Sequence, residues 1–177
     1  MADSARALAR QGQSVVLAPG DGRVIPLGEA GNVTLKAVGR ETGGTLSVYE
    51  FVTPPATAGP PLHLHRGWDE AFYVLDGEMT FLIDGRTSTA PAGSFVFVPR
   101  GILHTFWNES AAPARQLTIF TPAGIEEYFE EVTRVMAAGD GDTLEAAMAL
   151  MEKHDMIVPP SSRQAYGALK DPLPPTE

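Results

Sequence analysis

The stretch that most constrains this chain is P-L-H-L-H-R-G-W-D-E-A-F-Y-V-L-D-G, from Pro61 to Gly77. His63 and His65 are two residues apart, and alternate residues of a β-strand project to one face, so both imidazoles can converge on one point inside a sheet. Glu70 follows after four residues and Gly77 after six more. Downstream, Gly93, Pro99, Gly101, His104 and Asn108 stand at intervals of five, one, two and three residues. Of the 4 histidines in the chain, three lie in these two stretches. Three neutral imidazoles and a carboxylate suit one divalent transition metal, with iron, manganese, nickel, cobalt, copper and zinc all acceptable; calcium and magnesium prefer all-oxygen shells. The expected metal ligands are His63, His65, Glu70 and His104. Glu70 is also the candidate catalytic residue, able to stay on the metal or to take a proton from a substrate.

The two arrays, His63-x-His65-x4-Glu70-x6-Gly77 and Gly93-x5-Pro99-x-Gly101-x2-His104-x3-Asn108, resemble the paired motifs of the cupin superfamily. One position departs from that pattern. The family's first motif usually opens with a glycine six residues before its first histidine, where this chain has Thr57, with Gly59 close by. The resemblance implies an all-β fold, a cupin jelly-roll β-barrel or sandwich, with one cupin in the chain. It extends to quercetin 2,3-dioxygenase-like single-domain cupins through T-P-A-G-I-E-E-Y-F at 121–129 and K-H-D-M-I-V-P-P at 153–160. That subgroup implies a metal-dependent dioxygenase, an oxidoreductase in which a flavonol-like enolate binds at the metal and Glu70 accepts the hydroxyl proton. A small-molecule substrate, dioxygen and a homodimer partner are implied with it. Two other readings stay open, because a fold does not dictate an activity. One is a non-oxidative metal-dependent isomerase, cyclase or decarboxylase using the same ligands; the other is a non-catalytic small-molecule binder.

Short apolar runs broken by turn residues, at 15–17, 23–27, 33–38 and 45–52, read as strands. The prolines at 54, 55, 60 and 61 exclude a central strand there. Asp76-Gly77 and Asp84-Gly85 suit type I′ turns, which predicts an antiparallel meander of 70–75, 78–83 and 86–89. Strands at 94–98, 104–107 and 115–121 complete the barrel. Strand parity puts Phe72 with Glu70 and Phe106 with His104 on the cavity side. Tyr49, Phe51 and Trp68 are further candidates for the substrate pocket; Phe95, Phe97 and Phe120 are aromatic but of unassigned facing. Asp69 should face away from Glu70, towards solvent.

Helical spacing takes over at Thr121, the expected N-cap, with Pro122 in the first turn and Gly139 as the stop. Tyr128 and Phe129 on this helix could lid the barrel. A second helix should start from a capping box at Asp142 and Glu145, with His154 near its end as a cap. The organisation expected is a loose lead-in at 1–14, a barrel at 15–121, a C-terminal helical extension at 122–171 and a disordered proline-rich tail at 172–177.

Net charge −9 makes nucleic acid and anionic membrane poor partners. Without cysteine the chain has no disulfide and no thiolate site. The N-terminus lacks a signal-peptide core and no run suits a membrane span, so a cytoplasmic protein is expected, and the sequons at Asn32 and Asn108 read as chance.

Overall fold

The computed structural model describes residues 12–138 and 143–163. In chain order the strands are β1 (Arg23–Pro26), β2 (Asn32–Ala37), β3 (Ser47–Thr53), β4 (Leu64–His65), β5 (Asp69–Asp76), β6 (Glu78–Ile83), β7 (Arg86–Pro91), β8 (Phe95–Val98), β9 (His104–Trp107), β10 (Ala114–Thr121) and β11 (Met156–Ile157). The helices are a single turn, α1 (Gly39–Thr42), then α2 (Ile125–Ala138) and α3 (Thr143–Lys153). No helix among the described residues is long and apolar enough to cross a membrane.

All strand pairs are antiparallel. One sheet has the order β1-β2-β3-β10-β5-β8, and a second has β7-β6-β9. Backbone bonds between His63 and His104 and between Thr57 and Asn108 carry the second sheet onward to β4, and β11 then pairs with β4. Inward side chains of the two sheets interlock: Phe72 of β5 meets Phe81 of β6 at 5.0 Å, and Phe51 of β3 meets Phe106 of β9 at 5.9 Å. The molecule is a jelly-roll sandwich with a helical C-terminal part. The helix α2 buries Ile125, Phe129 and Val132, and Phe129 lies edge-on to the inward Tyr49 at 4.9 Å, closing one end of the sandwich.

Several expectations are corrected. The run 15–17 is no strand: Val15, Val16 and Leu17 lie exposed outside both sheets. The meander fails at its first turn. β5 pairs with β10 and β8, while β6 pairs with β7 and β9, so the chain crosses between sheets at Asp76-Gly77. A Cβ on Gly77 would lie 2.8 Å from the Pro113 carbonyl oxygen, so this glycine permits a close crossing; Asp84-Gly85 does close the hairpin from β6 to β7. Thr121 ends β10 and α2 starts at Ile125, because pairing of Thr121 with Asp69 continues the sheet. Glu126 takes over the capping, accepting from the Gly124 and Gly39 amides and the Ser47 hydroxyl. The lead-in as far as residue 11, the stop at Gly139, the cap at Asp142 and the tail at 172–177 lie outside the described residues.

Candidate metal centre

Short local devices present each donor. The proline-interrupted segment before His63 cannot pair continuously: it bonds in both directions at Thr57, to Asn108, and again at His63, to His104, the latter at 3.0 and 2.8 Å. At Gly59 a Cβ would fall 1.5 Å from the Phe106 carbonyl oxygen, so a glycine is required two residues beyond Thr57. His65 lies on β4, Glu70 on the inward face of β5 and His104 at the start of β9. Asn108 buttresses the far end of β9, donating to the Thr53, Pro54 and Ala112 carbonyls and accepting from Ser110.

His63, His65, Glu70 and His104 are buried, and their potential ligand atoms lie within 4.8 Å of one another. Glu70 Oε2 lies 3.0 Å from His104 Nε2 and 3.4 Å from His65 Nε2. Two of the imidazoles are oriented by backbone carbonyls: His63 Nδ1–H donates to Pro61 at 2.7 Å and His104 Nδ1–H to Ile102 at 2.9 Å. This fixes their tautomers and leaves each Nε2 for the centre. Neither ring nitrogen of the buried His65 has a hydrogen-bond partner. Its ring is wedged between Trp68 at 5.7 Å and Phe120 at 5.2 Å.

The charge states agree with this geometry. Burial, helped by the neighbouring imidazoles His104 and His65, pushes His63 down to about 3, so it is neutral with a free lone pair. Burial alone would raise Glu70; its hydrogen bond to His104 and the adjacent His65 outweigh that and hold it at about 2. For His104, burial lowers the pKa but the Glu70 carboxylate overrides it and raises it. A cluster of three imidazoles with a bare nitrogen on His65 and an ionised carboxylate fits a transition metal bound through nitrogen and oxygen.

Among the expected pocket residues, Phe72, Phe106, Tyr49 and Phe51 are buried on the inward faces, and Trp68 is half-buried beside His65. Phe120 also faces inward. Phe95 and Phe97 do not: they are 64% and 54% exposed on the outer face. Asp69 faces outward, paired with Arg100 at 2.7 Å. His154 follows α3 near Glu131, far in role from the cluster.

The sequence reading missed the latch behind His65. β11 pairs Met156 with His65 and Ile157 with Leu64. The Asp155 carboxylate accepts from the Arg66 and Gly67 amides and from Arg66 Nε, at 3.1, 2.6 and 2.8 Å. It also missed Gln116, buried at the heart of the sandwich with both ends of its amide unpartnered.

Comparison with known proteins follows the same lines. The Cupin domain family matches residues 49–120, which include all four donors. A cupin domain thus occupies residues 49–120. A cupin fold alone is what it shares with KdgF from Halomonas sp., at 16% identity, a TM-score of 0.55, and coverage of 66% of this chain and 98% of that one. This cupin is also 32% identical over 79 residues to quercetin 2,3-dioxygenase of Bacillus subtilis, covering 44% of the chain and 23% of that protein. It is 30% identical over 117 residues to endoribonuclease YbeY of Myxococcus xanthus, covering 65% of the chain and 38% of that protein. The cupin thus spans well under half the length of these curated relatives.

Proposed function

We propose that this cupin is a metal-dependent oxygenase of the quercetinase type, acting on a flavonol-like or other enolisable aromatic substrate. The observation that carries the reading is the convergence of His63, His65, Glu70 and His104 within 4.8 Å inside an aromatic-lined sandwich. The similarity to quercetin 2,3-dioxygenase supports the choice of reaction. A ribonuclease reading finds no support in a chain of net charge −9, which repels a phosphate backbone.

In this reading His63, His65, Glu70 and His104 hold one divalent transition metal, which supplies Lewis acidity towards the substrate oxygens and a redox partner for dioxygen. The chain's own contribution is proton transfer, orientation and exclusion of water. Glu70, ionised at neutral pH, accepts the proton of the substrate hydroxyl at a carboxylate oxygen and so favours the enolate. Tyr49 stays protonated, because burial and then the Glu70 charge push its pKa well above 10, and it serves as a hydrogen-bond donor. Phe51, Phe72 and Phe106 give a planar ring apolar walls, and Trp68 borders the His65 side.

Elemental analysis paired with oxygen-uptake assays on a flavonol tests the proposal. The expected result is stoichiometric metal with oxygen uptake, both lost in His63→Ala and His104→Ala. Bound metal without uptake would shift the assignment to a non-oxidative isomerase, cyclase or decarboxylase, or to a binder. Folded protein that cannot be loaded with metal would overturn the site.

A further inference from the structure

The inner wall of the six-stranded sheet carries polar groups that the chemistry above does not use. Inward residues of β10 are Ala114, Gln116, Thr118 and Phe120, and those of β3 are Ser47, Tyr49, Phe51 and Thr53. Register sets Phe120 opposite Glu70, Thr118 between Tyr49 and Phe72, and Gln116 between Phe51 and Val74. Thr53 stands opposite Ala114, diagonal to Gln116. Starting from the carboxylate donor, Thr118, Gln116 and Thr53 therefore step one after another into the sandwich. Gln116 is four positions from Phe120 along β10, which puts it ~13 Å from the level of Glu70 at ~3.3 Å per residue.

These groups are costly where they stand. Gln116 and Thr118 are 0% exposed and Thr53 is 1% exposed. Among the described residues, nothing pairs with the Gln116 amide nitrogen, the Gln116 amide oxygen or the Thr53 hydroxyl. The side chains packed into the same space are apolar: Phe51, Phe72 and Val74 from this sheet, Phe81 and Phe106 from the other. A buried polar atom without a partner costs more than an apolar atom of the same shape, so a residue kept for packing alone at position 116 would be leucine or methionine. A few converging polar groups in an apolar interior are what fixes the orientation of a bound small molecule.

We infer that Gln116, with Thr118 and Thr53, forms a specificity-determining subsite for the neutral hydroxyl or carbonyl groups at the far end of a multi-ring phenolic substrate whose near end lies at the metal centre. The inference rests on the oxygenase reading and narrows it to extended, ring-hydroxylated substrates. An amide both donates and accepts, and threonine hydroxyls do the same, which matches phenolic hydroxyls and ring carbonyls. The inward faces of β3, β5 and β10 carry no lysine or arginine, so a carboxylate or phosphate would be buried there without a counter-charge. A substrate that lacks the far hydroxyls leaves the Gln116 amide and the Thr53 hydroxyl unpaired, and that penalty is the source of the discrimination.

Anaerobic calorimetric titration of the metal-loaded full chain tests this with two probes, 3-hydroxyflavone and the same skeleton hydroxylated on both outer rings. Wild type should bind the hydroxylated flavonol at least about tenfold more tightly. Gln116→Met, which keeps the side-chain length and removes its hydrogen-bonding atoms, should bind the two equally and retain its metal. Thr53→Val should lose part of the discrimination and serves if Gln116→Met misfolds. Without flavonol, Gln116→Met and Gln116→Leu should raise the midpoint of urea unfolding, because each removes two orphaned atoms. A midpoint lowered in both would mean that Gln116 is held by structural hydrogen bonds to buried water and would overturn the inference. Equal binding of the two flavonols by wild type, or discrimination that survives in the variants, overturns the inference alone; binding of neither overturns the proposed substrate class together with it.

Discussion

His63 and His104 are oriented by carbonyls two residues away in the chain, at Pro61 and Ile102, whereas His65 has no hydrogen bond on either ring nitrogen. What holds His65 comes from a segment 89 residues further on, where Asp155 brackets Arg66 and Gly67 and Met156 pairs with His65 itself. The first pair is set by local chain geometry and would survive many changes elsewhere. The third imidazole depends on the C-terminal part being docked. One centre thus combines autonomous ligands with one that reports on distant structure.

The difference is broken most severely by His63→Ala or His104→Ala. Each removes a fixed donor, and metal content should fall from about one per chain to below about a tenth, read by elemental analysis. Asp155→Ala should act on the other arm alone. Removing the bracket should weaken metal binding about tenfold, in the range typical of outer-shell changes, as read by chelator competition. The electron paramagnetic resonance of a copper-loaded sample should change with it, and Asp155→Asn, which keeps an acceptor, should recover part of the loss. Equal metal affinity in Asp155→Ala and wild type would mean that Trp68 and Phe120 suffice to hold His65.

The smallest effect expected is a control. Glu126 ties α2 to Ser47 and to the Gly39 and Gly124 amides, away from the metal centre. Glu126→Gln should lower stability by about 1 kcal/mol at neutral pH with metal affinity unchanged. Burial would raise the Glu126 pKa, but its bonds to Ser47, Gly39 and Gly124 outweigh that and hold it below 4.5. Its contribution is therefore present above pH 4.5 and lost as pH falls through the lower folded value, so denaturant curves of the variant and wild type should converge in acid.

The donors were legible because strand parity and spacing are local properties: His63, His65, Glu70 and His104 converge as their intervals suggest. The Asp84-Gly85 hairpin was legible for the same reason. Asp76-Gly77 carried the same signal and misled, since whether a turn pairs two strands or passes from one sheet to the other is decided by Pro113 and Ala114, far along the chain. Phe95 and Phe97 could not be assigned a side because β8 is F-V-F-V, apolar on both parities. The two-residue β11 is too short to show any period, and the role of Asp155 appears only once β4 is beside it.

The strand β5 has a property that bears on how the chain finds its fold. Its inward set is Glu70, Phe72 and Val74, and its outward set is Asp69, Ala71, Tyr73 and Leu75. Each parity offers one acid followed by apolar residues, so a slip of one residue would bury Asp69 with Ala71, Tyr73 and Leu75 and still look hydrophobic. The pattern that normally rejects a misaligned strand is nearly silent here. Correct alignment rests instead on three pins: the close pass of Gly77 under Pro113, the irregularity in pairing between Arg115 and Gln116, and the clasp of Arg100 on Asp69. Loosening those pins would yield a well-packed protein whose cluster of His63, His65 and His104 lacks its carboxylate, left on the wrong side of the sheet.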